Sequence, residues 1–235
     1  MPAFDLIGFD ADDTLWQNER YYNEAQTRFA QLLSHYHPEE WVRERLYETE
    51  TRNIQHFGYG VKAFALSMIE TAVELTEGRI SGQDIKTLVE VAREMLDAEV
   101  ELLPQVREAI HLLAKTHRLA LITKGDLLDQ ERKIERSGLG QYFQDVEIVS
   151  HKTPAAYAQF LKKLSIPAER FLMVGNSLRS DILPVLQLGG SAVHIPYGST
   201  WQHEQAETPP MGTPGFQAVS EFGQIPTLIA LLEQA

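Results

Sequence analysis

Short apolar runs separated by amphipathic stretches are the feature that most restricts how this chain can fold. Residues 3–9 (AFDLIGF), 119–123 (LALIT), 146–150 (VEIVS), 171–175 (FLMVG) and 192–196 (AVHIP) read as buried strands. Helical periodicity falls between or after them, at 105–116, 128–137, 154–164, 181–188 and 225–233. Strand and helix in alternation predict βαβ units, hence an α/β protein with a Rossmann-like, doubly wound parallel sheet. Ligands of such sheets bind at the carboxyl ends of the strands.

The span from Trp16 to Leu103 breaks the alternation. It has helical periodicity at 19–35, 38–55, 61–77 and 81–100, a capping signal from Ser81 to Asp84, and no strand. The expected organisation is a core of residues 1–15 and 104–235, with residues 16–103 as an all-helical insertion between the first and second strands. Residues 197–215, rich in Pro and Gly, read as a surface loop.

Composition removes several function classes. The chain has 235 residues, enough to bury about 70% of its unfolded surface without a covalent staple. It has no cysteine, which excludes disulfides, thiolate zinc sites, Fe–S clusters and Cys nucleophiles. Lys and Arg number 21 against 33 Asp and Glu, a net charge of −12. A nucleic-acid polymer or an anionic membrane is therefore a poor partner, while a small anion remains accessible through local cations or a metal. No apolar run reaches the ~18 residues of a membrane span. The first ten residues include Asp5 and Asp10 and no basic cluster, unlike a secretory signal, so the expected location is cytoplasmic. The oligomeric state is not legible.

The polar residues collect at the strand ends. The first strand runs into FDADDTLW, and Asp10 and Asp12, two apart, can converge if the backbone stays extended. Paired carboxylates bind a hard cation or divide the roles of nucleophile and acid. A solvated turn or helix cap uses the same residues. The second strand ends LITKGD: Thr123 brings a hydroxyl, Lys124 a cation, and Gly125 a backbone that a ligand can approach. Lys152 follows the third strand, and Asn176, Ser177 and Asp181 follow the fourth. Any one of these clusters fits an ordinary turn. Four at one edge of one sheet amount to a metal-plus-anion site.

These residues resemble the haloacid dehalogenase superfamily of hydrolases. FDADDTLW resembles its nucleophile loop, LITKGD its second motif, Lys152 its third and VGNSLRSD its fourth, in order from Phe4 to about Pro196. The resemblance implies a helical cap between the first two motifs, where the insertion falls, and a phosphatase acting on a small phosphorylated metabolite. It implies that Asp10 is the nucleophile, forming an aspartyl-phosphate, and Asp12 the general acid and then base. Thr123 and Lys152 would hold the phosphoryl oxygens. Apart from the resemblance, the cation of Lys124 and the open backbone of Gly125 make these two the expected substrate contacts. Mg²⁺ would be held by the Asp10 carboxylate, the Asp12 carbonyl and the fourth motif, through Asn176 and Asp181. Asn176 stands where the family has an acid, which bears on metal affinity. Asp13 reads as a helix cap or an outer contact.

Three other readings remain open. Metal-independent 2-haloacid dehalogenases use the same nucleophile but generally lack the second Asp of the first motif, which is present here as Asp12. Phosphotransfer to a sugar uses the same parts. A non-catalytic binding module on this fold would have no need of Asp10, Asp12, Thr123 and Lys152 together. In the insertion, residues 53–62 form the expected selectivity loop. Arg52, His56, Tyr59 and Lys62 stand either against a leaving group or in the surface or core of the insertion, and Phe57 and Phe64 are expected in the core. Trp16 is expected to pack where the insertion joins the core.

Overall fold

The computed structural model describes residues 3–198, 204, 206–210 and 212–234. Residues 199–203, 205 and 211 of the expected loop lie outside them.

Among the described residues, six parallel strands form one sheet. They are β1 (Leu6–Phe9), β2 (Leu119–Lys124), β3 (Asp145–Val149), β4 (Phe171–Gly175), β5 (Ser191–His194) and β6 (Phe216–Ala218), in the order β3-β2-β1-β4-β5-β6. Strand β1 therefore lies between β2 and β4, with Phe9 in register with Leu121 and Val174. The fold is the Rossmann-like α/β arrangement expected, with a helical insertion.

The chain divides into two compact units. The first comprises residues 1–19, 100–124 and 130–235, and the second residues 20–99 with 125–129. The first unit holds the sheet and α5 (Val106–Leu113), most of α6 (Leu127–Ser137), α7 (Pro154–Leu164), α8 (Leu183–Gln187) and α9 (Ile225–Leu232). Strand alternation sorts its core. Ile7, Phe9, Leu119, Leu121, Leu172 and Val174 join Val106 and Ile110 of α5 and Ile225 and Ile229 of α9 on one face. Leu6, Ala120, Ile122, Phe171 and Met173 join Tyr157, Phe160 and Leu161 of α7 on the other. Trp16 is buried in the first of these clusters.

The second unit holds α1 (Glu19–Leu32), α2 (Glu39–Phe57), α3 (Val61–Leu75) and α4 (Gly82–Asp97). Ser81 caps α4 by accepting the Asp84 N–H, as the sequence implies. Phe29, Leu33, Leu46, Phe64, Met68 and Leu88 form the core of this unit. Phe57 is a correction: the last residue of α2, it is 54% exposed, beyond the buried positions of that helix, which end at Asn53.

The segment after the fourth strand also departs from expectation. The chain makes one π turn, Leu178–Ile182, before α8 begins at Leu183. Asp181 lies within that turn and is buried.

Candidate active site

Strand β1 delivers Asp10, whose N–H donates to the Val174 carbonyl at 2.9 Å. The Asp10 side chain is buried. Its Oδ2 accepts the Thr14 hydroxyl at 2.8 Å. The same Thr14 oxygen lies 3.2 Å from Asn176 Oδ1 and accepts the Asn176 N–H at 3.1 Å. One hydroxyl thus links the end of β1 to the end of β4. His194 fixes Asn176 from the other side by donating Nε2–H to its carbonyl at 3.0 Å.

The other Asp10 oxygen pairs with Lys152 Nζ. Lys152 also donates to Asp181 Oδ1 at 2.7 Å, and Asp181 Oδ2 accepts the Ser177 N–H at 3.0 Å. Gly175 makes room for this: a Cβ there would stand 2.3 Å from Asp181 Oδ2. Burial works against the Lys152 charge, but Asp10 and Asp181 outweigh it and hold the ammonium above lysine's usual value. Burial, together with the charge of Asp181, pushes Asp10 up to about 7 against the opposing pull of Lys152 and Thr14. Two buried carboxylates on one ammonium leave an excess of negative charge.

Asp12 has different partners. Its carboxylate accepts Trp16 Nε1–H at 2.7 Å, Gln130 Nε2–H at 2.8 Å and Lys133 Nζ at 3.2 Å. Lys133 also donates to Asn18 Oδ1 at 2.8 Å. The extended backbone that would make Asp10 and Asp12 converge ends with β1 at Phe9, so the two carboxylates take separate partners. Asp13 adopts a left-handed backbone, φ 61°, and accepts the N–H groups of Asn18 and Glu19 where α1 begins, which makes it a cap. Burial pushes Asp13 up to about 7.

Thr123 is buried at the end of β2, beside β1. Lys124 follows, its Nζ paired with Glu204 and 3.2 Å from Ser180 Oγ. Gly125, at φ 139°, starts the segment that belongs to the helical unit. In that unit Lys62 pairs with Asp126, and Arg52 with Glu70 and Glu74, whereas His151 and Arg179 are exposed.

Among the described residues no three His, Cys, Asp or Glu side chains converge as a metal cluster. The donor chemistry still suits a hard divalent cation that keeps several waters: Asp10 and Asn176 offer oxygens on a shared hydroxyl, in surroundings with excess negative charge.

Sequence reasoning assigns no role to Thr14, Gln130, Lys133, His194 or Glu204. Thr14 stands inside the Asp-rich motif, and Gln130 and Lys133 share a face of α6 at a spacing of three, so both signals are present in the sequence. Nothing local marks Glu204 as a partner of Lys124.

Comparison with known proteins identifies the family. A family model described as "haloacid dehalogenase-like hydrolase" matches residues 4–189. A haloacid dehalogenase-like family hydrolase from Xanthomonas campestris is 43% identical, covers 100% of this chain and 98% of its own, and superposes with a TM-score of 0.89. A 2-haloacid dehalogenase from Pseudomonas syringae pv. tomato, 21% identical over 97% of this chain and 99% of its own, shares the fold with a TM-score of 0.65. Glyceraldehyde 3-phosphate phosphatase from Pyrococcus abyssi is 33% identical over 94 residues, 38% of this chain. The match spans 40% of that curated relative's length. With the family model covering most of the sequence, the chain belongs to the haloacid dehalogenase-like hydrolases.

Proposed function

We propose that this hydrolase is a Mg²⁺-dependent phosphatase of small phosphomonoesters that works through an aspartyl-phosphate on Asp10. The observation that carries the reading is the pairing of Asp10 with Lys152 on one oxygen and Thr14 on the other, at the carboxyl end of the central strand. The partial likeness to a glyceraldehyde 3-phosphate phosphatase supports the same substrate class. A phosphorylated metabolite as substrate accords with a cytoplasmic setting.

In this reading an Asp10 oxygen attacks phosphorus and the bond to the leaving oxygen breaks. Asp12 gives that oxygen its proton, then takes one from the water that attacks the aspartyl-phosphate. Cleavage of the phosphorus–Asp10 bond releases inorganic phosphate and restores the carboxylate. Thr123 and Lys152 hold the phosphoryl oxygens, and Lys124 and Gly125 face the rest of the substrate. Asp10, the Asp12 carbonyl and Asn176 are the proposed holders of Mg²⁺. Asp181, whose two oxygens already have protein donors, acts by fixing Lys152 and through solvent. Bound Mg²⁺ supplies Lewis-acid neutralisation of the phosphoryl charge. The helical unit serves as the cap that selects the leaving group.

Asp12 favours this reading over dehalogenation, since a halide needs no proton to leave. The test is phosphate release from sugar phosphates, nucleoside monophosphates, phosphoglycolate and an aryl phosphate, with Mg²⁺ and with chelator. Release should require Mg²⁺ and fall by about 10³-fold or more in Asp10→Asn. No release from any member overturns the proposal, and halide release from a 2-haloacid in chelator would replace it with the dehalogenase.

A further inference from the structure

Glu204 comes from the segment between β5 and β6 and is buried. Its carboxylate accepts the hydroxyls of Ser177 and Ser180, each at 2.5 Å, and pairs with Lys124 Nζ. Burial alone would raise its pKa, but Lys124 and the two hydroxyls hold it down at about 2.

The placement of these groups matters more than their number. Lys124 ends β2, and Ser177 and Ser180 come after β4. Since β1 lies between those strands, the three groups meet across the end of the strand that delivers Asp10. Tyr157 reports the same proximity. Its hydroxyl donates to the Ser180 carbonyl, and Lys152, Asp181, Asp10 and Glu204 all act on it electrostatically. An ammonium and two hydroxyls on one carboxylate make an anion site by chemistry, and the protein fills it with its own acid.

We propose that Glu204 determines substrate specificity by occupying the Lys124–Ser177–Ser180 anion site, so that the enzyme prefers phosphomonoesters whose leaving group carries no second acid. The proposal rests on the phosphatase reading and names the substrate class within it. A second carboxylate or phosphate on the leaving group meets a cation already neutralised and hydroxyls already committed. Desolvating that acid without a partner is costly, whereas a hydroxyl or carbonyl leaving group forfeits nothing. Charge at the end of β2 thus discriminates by exclusion, the more economical device when the phosphoryl group already supplies the binding energy.

The experiment compares glycerol 1-phosphate with 3-phosphoglycerate, which share a three-carbon chain and differ in the carboxylate. The wild type should favour the first by kcat/KM. In Glu204→Gln the preference should move toward the carboxylate substrate by about tenfold or more. The double variant Lys124→Met/Glu204→Gln, which lacks the exposed cation, should not show that gain. An unchanged preference in folded Glu204→Gln, or a wild-type preference for 3-phosphoglycerate, overturns the proposal. A second arm needs no turnover. Glu204→Ala leaves space for a small carboxylate, and acetate should raise its Tm saturably, but not that of the wild type or of Lys124→Met/Glu204→Ala. Absence of that rescue overturns the anion site. Rescue in an enzyme that releases no phosphate would instead locate the failure in the phosphatase reading.

Discussion

Lys152 donates to Asp10 on one side and to Asp181 on the other, and all three side chains are buried. One ammonium is therefore shared by two carboxylates that come from different strand ends.

Removing that ammonium should cost both fold and function. Lys152→Met leaves Asp10 and Asp181 facing each other without a counter-charge, a loss of about 3 kcal/mol of stability. Lys152→Met/Asp181→Asn removes one of the two charges and should recover part of that stability while staying inactive. Urea unfolding of the two variants beside the wild type checks this. Equal stability of Lys152→Met and wild type would show that the pair carries no structural weight.

Asp12 stands apart from that trio, held by Trp16, Gln130 and Lys133. As the acid and base of the proposed reaction, its replacement by Ala should lower kcat by about 10²-fold or more. Trp16→Phe keeps an aromatic ring at that position and removes one of the three donors, so its effect on kcat should be smaller. A near-wild-type rate for Asp12→Ala rejects the proton-transfer role.

Asn176 is held at its backbone by His194 and at its N–H by Thr14, so a change in its side chain leaves its position intact. Asn176→Asp adds a negative charge to the proposed cation site. The Mg²⁺ concentration for half-maximal activity should fall on the order of tenfold, because affinity for a hard cation follows ligand charge. A titration of activity with Mg²⁺ from a chelated start reads this directly. An unchanged requirement places Asn176 outside the proposed cation site.

The strand ends are legible because a buried parallel strand is a continuous apolar run, and polar clusters right after such runs stand out. Asp10, Thr123, Lys152 and Asp181 emerge in that way. Strand β6 is not legible, since it has three residues and only Phe216 is buried. The π turn at Leu178–Ile182 reads in the sequence as the start of a helix from 181, since one turn has no period of its own. Glu204 escapes because its partners Lys124, Ser177 and Ser180 are distant in sequence and no short-range pattern encodes an ion pair. The Phe57 expectation fails at a helix end, where periodicity says least about burial.

Glu50 offers a test inside the helical unit. It lies on the buried face of α2 with Leu46 and Asn53, and no hydrogen bond or ion pair engages it among the described residues. Burial raises its carboxyl to about 8. Between the ordinary carboxylate range and that value the folded chain keeps the proton and the unfolded chain releases it. Stability from this group is therefore present at low pH and lost as pH rises toward 8. Glu50→Gln cannot ionise, so its advantage over the wild type should grow by about 4 kcal/mol between pH 5 and pH 8.5. Urea unfolding of both proteins at the two pH values isolates the effect, because Asp10 and Asp13, also raised by burial, titrate alike in both. Parallel pH profiles would mean that Glu50 reaches water in the folded chain and carries no buried charge.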